Sequence, residues 1–211
     1  MHLYHFLLRY PGKTLVFLSS IDGIRRLHPL ISVLNLGEVG LLHSGMQQKA
    51  RLKALDRFTN STSSTSVLLC TDVAARGLDI ASVHHVVHYQ LPRTADTYVH
   101  RSGRTARAGR EGVSLQLVSP EEKSLQRELF KSLGRGMHSS HFQIARSTTG
   151  ADVRDLEELP VEWSIMDRLK NRIDLARQIE NANHKVTKAN HDEKWLREAA
   201  EAMELDLDNL E

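Results

Sequence analysis

The stretch Val67-Leu68-Leu69-Cys70-Thr71-Asp72-Val73-Ala74-Ala75 decides the fold, because an apolar run passes directly into a short polar and then small-residue segment. Such a run, bounded by polar or turn-forming residues, is typical of a buried strand. Similar runs recur along the chain, and the predicted strands are Leu15–Leu18, Val39–Leu42, Val67–Cys70, His85–Tyr89 and Val113–Val118. Capped or amphipathic stretches separate them. This alternation predicts an α/β fold, a parallel sheet with helices on both faces.

Four helices are predicted between or after these strands. Asp22 is expected to cap the first, which runs toward Asn35 and is bent by Pro29. The others are Gln47–Phe58, Thr94–Arg101 and Glu121–Leu133. The last of these begins after Pro120 and ends before Gly134, which is favourable start and stop chemistry.

The pattern changes after residue 133, so three segments are predicted. Residues 1–133 form the sheet domain, residues 134–159 form an irregular linker, and residues 160–211 form a helical C-terminal extension; the linker is rich in Gly, Ser, Thr and His from Gly134 to Gly150. In that extension, apolar residues recur at helical spacing. They occur in two groups, Ile165, Leu169, Ile173, Ala176 and Ile179, and then Trp195, Ala199, Ala202 and Leu205. We expect a helical hairpin docked on an apolar surface.

Charge is divided unevenly along the chain. The 211 residues carry a net charge of +2, but residues 152–211 hold 9 basic and 16 acidic residues, a net −7, which leaves +9 on residues 1–151. The basic part is therefore the candidate for binding polyanions. No apolar run is long enough for a bilayer, and Met1-His2-Leu3-Tyr4 does not resemble a secretory signal, so a membrane role is not expected. The single Cys70 is expected to be a buried strand residue.

A second informative stretch is Tyr98-Val99-His100-Arg101-Ser102-Gly103-Arg104-Thr105-Ala106-Arg107. Arg104 and Arg107 are three residues apart, so a helical turn would point both guanidinium groups at one anion, and their geometry suits phosphate. A solvated basic loop with surface ion pairs explains the same residues. Taken alone, the stretch does not decide between them.

The order of the motifs favours the phosphate interpretation. Thr71–Asp79 resembles motif V, and His100–Arg107 resembles motif VI, of the DEAD-box RNA helicases. Leu15–Ile21 is similar to a looser motif IV, and the turn His43-Ser44-Gly45-Met46 followed by Gln48 and Arg51 is similar to the element that comes next in that family. The resemblance implies a RecA-like domain.

The resemblance also implies roles for individual residues. Arg104 and Arg107 would act catalytically on the terminal phosphate of ATP, and Gly77 and Asp79 would complete the ATP-binding group, with Asp79 at the ribose. Four residues would hold the sugar-phosphate backbone of RNA without reading its sequence; they are Gly45, Gln48, Arg51 and Thr71. Three others would orient the arginines and couple the two sites; they are Asp72, His100 and Arg101.

The resemblance covers half of a helicase core. Gly12-Lys13-Thr14 lacks the earlier glycine of a phosphate-binding loop and precedes a strand, so it is expected to be a turn. ATP and Mg²⁺ would be held mainly by a preceding RecA-like domain of the same protein, and this fragment alone would be inactive. His84, His85 and His88 lack a further ligand group, and no metal site is predicted.

Three further stretches narrow the resemblance. Leu8–Phe17, with Arg172–Glu180 and Trp195–Ala200, is similar to the maintenance-of-killer type of nucleolar DEAD-box helicase. That resemblance implies a monomer in the nucleus and nucleolus that acts on ribosomal RNA precursors among large-subunit assembly proteins. Two alternatives are a non-catalytic RNA or ribosome-assembly scaffold and a DNA-directed helicase of the same superfamily. The acidic extension favours a stabilising role over an RNA site.

Overall fold

A computed structural model describes residues 1–75, 83–106, 111–133, 142–147, 156–157 and 159–208 of the chain, the backbone alone for 142–147, 156–157, 200 and 202–208. Within these residues one sheet has the strand order β2-β3-β1-β4-β5-β6-β7. The strands are β1 Lys13–Leu18, β2 Glu38–Leu42, β3 Ser66–Thr71, β4 His85–His88, β5 Gly112–Leu117, β6 Phe142–Ser147 and β7 Leu156–Glu157. Strands β1 to β5 pair in parallel, whereas β6 and β7 pair antiparallel.

The helices connect and cover the strands. They are α1 His2–Arg9, α2 Ile21–Val33, α3 Gln48–Asn60, α4 Asp72–Ala75, α5 Ala95–Ser102, α6 Lys123–Ser132 and α7 Trp163–Asp208, with a 3₁₀ turn at Pro120–Glu122. None of the helices in the described ranges combines the length and the apolar character that a membrane span requires.

Two apolar clusters lie on opposite faces of the sheet, because successive strand residues point to opposite sides. Val16 and Leu18 of β1 pack with α1, α2 and α7 on one face. Leu15 and Phe17 pack with residues of α3 and α4 on the other. The five predicted strands and the parallel sheet with helices on both faces are thus confirmed.

Ser20, and not Asp22, caps α2. The Ser20 hydroxyl accepts a hydrogen bond from the Gly23 amide at 3.0 Å, and Asp22 lies within the first turn. The prediction of Asp22 as the cap was wrong because both residues can accept from a helix N-terminus, and only the backbone conformation selects between them. Pro29 lies inside α2.

Strands β6 and β7 lie within residues 134–159, so the irregular character predicted for that segment is wrong. β6 pairs antiparallel with β5 from Leu117↔Phe142 to Gly112↔Ser147. The open edge of β5 supplies the backbone hydrogen-bond partners of β6. Because β6 depends on this tertiary pairing, its own residues give only a weak strand signal in the sequence. The domain boundary after residue 133 stays a prediction.

The predicted helical hairpin is also wrong, because α7 is one continuous helix of 46 residues. The segment contains no glycine or proline that would end it. Its first turns do dock on an apolar surface: Met166, Leu169, Ile173 and Ala176 are buried in the cluster that α1 and α2 form over the sheet. The guanidinium carbon of Arg172 also lies 5.8 Å from the centre of the Tyr4 ring.

Candidate functional site at the carboxyl edge of the sheet

The parallel strands bring the predicted site residues to one edge of the sheet. Leu42 of β2 is in register with Cys70 of β3, and Leu18 of β1 is in register with Thr71. The segments that follow these strands therefore emerge side by side. Ligands bind at this edge in open α/β sheets.

Arg101 of α5 forms an ion pair with Asp72, the residue that follows β3. Its Nε and Nη2 donate to the two carboxylate oxygens at 2.6 and 2.7 Å. Its Nη1 donates to the Gln90 carbonyl at 2.8 Å, and the guanidinium carbon lies 5.1 Å from the centre of the Phe17 ring. The Arg101 side chain is 2% exposed and that of Asp72 is 27% exposed. This guanidinium is fully engaged and is not available to a ligand.

Helix α5 is held in place by its cap and by the strands below it. The Thr94 hydroxyl accepts from the Thr97 amide at 3.2 Å. The Tyr98 ring stacks on His88 at a centroid distance of 4.9 Å. The His88 Nε2 also lies 3.3 Å from the Ser102 hydroxyl and 3.1 Å from the Ser114 hydroxyl. Burial, and the nearby positive charge of Arg101, hold the pKa of His88 well below its usual value.

The turn after α5 positions Arg104. The Arg104 amide donates to the Arg101 carbonyl at 3.1 Å, and its carbonyl accepts from the Val83 amide at 3.2 Å. The Thr105 hydroxyl donates to the Val83 carbonyl at 2.6 Å. The half-buried Arg104 side chain can therefore face a ligand from a fixed backbone.

A small open pocket lies between two segments. One is helix α5 with the turn that follows it, and the other is the segment that follows β3. The lining of the pocket comes from strand β1, helix α4 and helix α5 with its following turn; the residues are Phe17, Asp72, Ala75, Thr97, His100, Arg101 and Arg104. Asp72 is already neutralised by Arg101. Arg104 thus contributes positive charge to the pocket, which suits an anionic phosphate.

One predicted RNA-binding residue, Arg51, contacts helix α4, which lines this pocket. Arg51 Nη1 donates to the Gln48 side-chain oxygen at 3.1 Å, and Nη2 donates to the Ala74 carbonyl at 3.1 Å. Gln47 precedes α3 and makes no side-chain cap, so the amides of the first turn stay open to a ligand. The buried Thr71 hydroxyl makes no hydrogen bond within the described residues. Gly45 is exposed in the turn before α3.

The structure brings several of the predicted site residues together. Asp72 and Arg101 pair directly, and the exposed His100 lines the same pocket. Gly77, Asp79 and Arg107 lie outside the described residues. Sequence reasoning missed Phe17 and Gln90, which hold Arg101. The only sequence feature that could have identified these two residues is their position at or just after the carboxyl end of a predicted strand.

Among the described residues, no group of three His, Cys, Asp or Glu side chains could hold a metal ion. His85 lies 3.2 Å from the Thr14 hydroxyl, and burial lowers its pKa to about 4. The described residues therefore offer no carboxylate set that could hold a Mg²⁺ ion.

Comparisons with known proteins agree with this geometry. Residues 1–109 match the family described as helicase conserved C-terminal domain. The chain is 44% identical over 208 residues to "ATP-dependent RNA helicase ddx24" of Dictyostelium discoideum, and this match covers 99% of the chain and 20% of that protein. It is 44% identical over 216 residues to "ATP-dependent RNA helicase MAK5" of Debaryomyces hansenii, covering 100% of the chain and 26% of that protein.

A solved structure, "Mss116p DEAD-box helicase domain 2 bound to an RNA duplex", aligns with a TM-score of 0.56 and 28% identity, over 63% of this chain and 52% of that one. The RecA-like fold is thereby confirmed. The chain spans about a fifth to a quarter of the length of the two curated relatives above. It belongs to the helicase conserved C-terminal domain family, and within that family to the DEAD-box domains of the MAK5 and DDX24 type.

Proposed function

We propose that this domain is the second core domain of an ATP-dependent RNA helicase, in which it grips the RNA backbone and completes the ATP site. The observation that carries the proposal is the position of α4 between two arginines. Arg101 binds Asp72 at the start of α4, and Arg51 binds the Ala74 carbonyl within the same four residues. A shift of α4 therefore moves groups of both the ATP site and the RNA site.

On the nucleotide side, Arg104 and Arg107 stabilise the negative charge that grows on the terminal phosphate during transfer. Gly77 and Asp79 contact the nucleotide nearby. When bound, ATP with its Mg²⁺ supplies the phosphoryl group whose cleavage drives the cycle. Asp72, His100 and Arg101 keep the arginine-bearing turn in place, since Arg101 ties the end of α5 to the end of β3.

On the RNA side, Gly45, Gln48, Arg51 and Thr71 hold phosphates and ribose hydroxyls. The open amides at the start of α3 add donors and the positive end of a helix dipole. Contacts of this kind position a strand without selecting its sequence. The similar domain 2 of the Mss116p DEAD-box helicase is bound to an RNA duplex, which supports the proposal.

The nucleotide arm of the test uses the full-length protein. Arg104→Ala should lower RNA-stimulated ATP hydrolysis by about a thousandfold, because it removes charge stabilisation from the transition state. RNA binding should change little. Arg93→Ala is the matched control, since Arg93 is an exposed arginine just before α5, the helix that precedes Arg104. An unchanged hydrolysis rate in the Arg104 variant would contradict the assignment.

The RNA arm compares Arg51→Ala with Arg57→Ala, two arginines of α3. Loss of Arg51 should weaken RNA binding about tenfold and reduce the dependence of log K on log salt by about one. Because Arg51 also holds the Ala74 carbonyl, the salt slope is the decisive measurement: a purely structural effect would lower affinity and leave the slope unchanged. A deoxyribose competitor that binds equally well would favour the DNA-directed alternative.

We further propose that the Mg²⁺ and the remaining phosphate contacts come from a preceding RecA-like domain of the same protein, so that residues 1–211 alone hydrolyse no ATP. The resemblance to the maintenance-of-killer type supports a role in nucleolar assembly of the large ribosomal subunit, with ribosomal RNA precursors as substrate. Depletion of the full-length protein should therefore raise the level of unprocessed large-subunit RNA. Unchanged levels of precursor RNA would contradict this role in ribosome assembly. They would not bear on the site assignments, which the Arg104 and Arg51 variants test separately.

A further inference from the structure

A second apolar stripe runs along α7 beyond the part that docks on the sheet domain. Its side chains recur at alternating steps of four and three residues; they are Leu175, Ile179, Ala182, Val186, Ala189 and Leu196, with Glu193 at the intervening step. All are exposed, and the four large ones are 50 to 61% exposed. The sequence continues the same spacing at Ala200 and Met203.

This stripe is separate from the docked face of α7. The docked side chains are Met166, Leu169, Ile173 and Ala176. At about 100° per residue, Ile173 and Leu175 point about 160° apart around the helix axis. The stripe therefore cannot be covered by the surface of α1 and α2 that buries Ile173.

A repeat of four and three residues is the seam of a coiled coil. From residue 181 to residue 198 every described side chain is exposed, so this part of α7 gains no stability from packing on the domain. A helix without such packing is only marginally stable in water. A second helix along the seam would supply the missing burial.

We propose that the second helix is α7 of another copy of this chain, packed antiparallel on the same seam. The seam residue Glu193 decides the direction. In a parallel pair the two Glu193 side chains would face each other across the seam and repel. In an antiparallel pair Glu193 faces Ala182 of the second copy, while Ile179 packs on Leu196 and Val186 packs on Ala189.

The charges beside the seam select the same alignment. Lys185 and Asp192 occupy equivalent flanking positions one heptad apart, and both are exposed. In the alignment above, Lys185 lies beside Asp192 of the second copy, and the two-fold symmetry repeats this pair. A shift of one heptad in one direction puts Asp192 beside Asp192, and a shift in the other direction puts Lys185 beside Lys185. Both neighbouring alignments are disfavoured by like charges. This pairing replaces the monomer expected from the sequence.

Sedimentation velocity of residues 1–211 over a concentration series tests the proposal. The chain should sediment as a dimer that dissociates on dilution. Leu196→Glu should raise the dimer dissociation constant at least about tenfold, since each dimer loses two buried leucine contacts. Trp195→Glu is the matched control, because Trp195 is 62% exposed against 61% for Leu196 but lies on another face. A monomer at every concentration, or equal effects of the two variants, would overturn the proposal.

A charge exchange tests the direction of pairing. Lys185→Glu and Asp192→Lys should each weaken the dimer, and the double variant should restore it, because the reversed pair attracts again. A parallel dimer would show no such rescue. Ala182→Cys gives an independent readout: the two cysteines are adjacent only in a parallel pair, so rapid disulfide formation under oxidising conditions would refute the antiparallel arrangement, and a persistent free thiol agrees with it. Circular dichroism confirms that each variant keeps its helix content.

Discussion

Arg101 is the residue on which the candidate site depends most directly. A guanidinium that is 2% exposed loses nearly all of its hydration and must recover it from protein groups. The two Asp72 oxygens, the Gln90 carbonyl and the Phe17 ring do so from three different strand ends. The planar fork of arginine reaches these groups together, and a lysine would keep the charge but lose the geometry.

Replacing Asp72 tests the energetic weight of this arrangement. Asp72→Asn keeps the shape and removes the charge, which leaves the Arg101 guanidinium buried without a counter-ion. Because Asp72 itself is 27% exposed, we expect a loss of about 2 kcal/mol, below the usual cost of breaking a buried pair. Urea unfolding of residues 1–211 measures it.

The matched control is Asp22→Asn. Asp22 lies 3.9 Å from Arg25 in an exposed pair whose side chains are 82% and 67% exposed, respectively. An exposed pair of this kind contributes under about 1 kcal/mol. If both variants lost the same stability, the Asp72–Arg101 pair would have no special structural weight.

At this scale the sequence predicted the participants but not their contacts. Asp72 and Arg101 were predicted to orient the arginines because they stand within recognisable motifs. Phe17 and Gln90 reach Arg101 only because β1 lies between β3 and β4 in the sheet. That order is set by long-range pairing, which no local residue pattern specifies.

At the scale of elements, prediction succeeded where the sequence carries a strong local period. Strands β1, β3 and β4 are buried on both faces, and β1 and β3 read as nearly continuous apolar runs with clear ends. Helices α3, α5 and α6 were predicted within a few residues because caps or turn residues bound them. These signals are intrinsic to the segment itself.

Elements that depend on their neighbours were missed. Helix α1 was not predicted, although five of its eight residues are buried, four of them in the apolar core. Strand β6 forms against the edge of β5. Helix α7 was predicted as two helices because its apolar residues change faces along its length. The backbone nevertheless continues as one helix from Trp163 to Asp208.

At the scale of the whole molecule, the acidic extension is joined to the basic domain by apolar packing. Met166, Leu169 and Ile173 of α7 belong to the same cluster as Leu3 and Leu7 of α1. The sequence predicted that the extension docks, and charge alone did not indicate where. Two buried histidines of β4, His85 and His88, lie in the sheet that supports this packing, and burial lowers the pKa of both.

Those histidines make the stability of the whole molecule sensitive to mild acid. The pKa of His85 is lowered from its usual value of 6.5 to about 4 in the folded protein. The contribution of His85 to stability is therefore fully present above pH 6.5. It is lost as the pH falls from 6.5 toward about 4, because the unfolded chain binds the proton first. His85→Gln removes the titration but keeps a partner for the Thr14 hydroxyl. It should reduce the pH dependence of the unfolding free energy between pH 6.5 and 4.5 by up to about 1.4 kcal/mol per pH unit. Urea unfolding across this range measures it, with the exposed His191→Gln as control. Parallel curves for the two variants would show that burial of His85 does not govern the acid sensitivity.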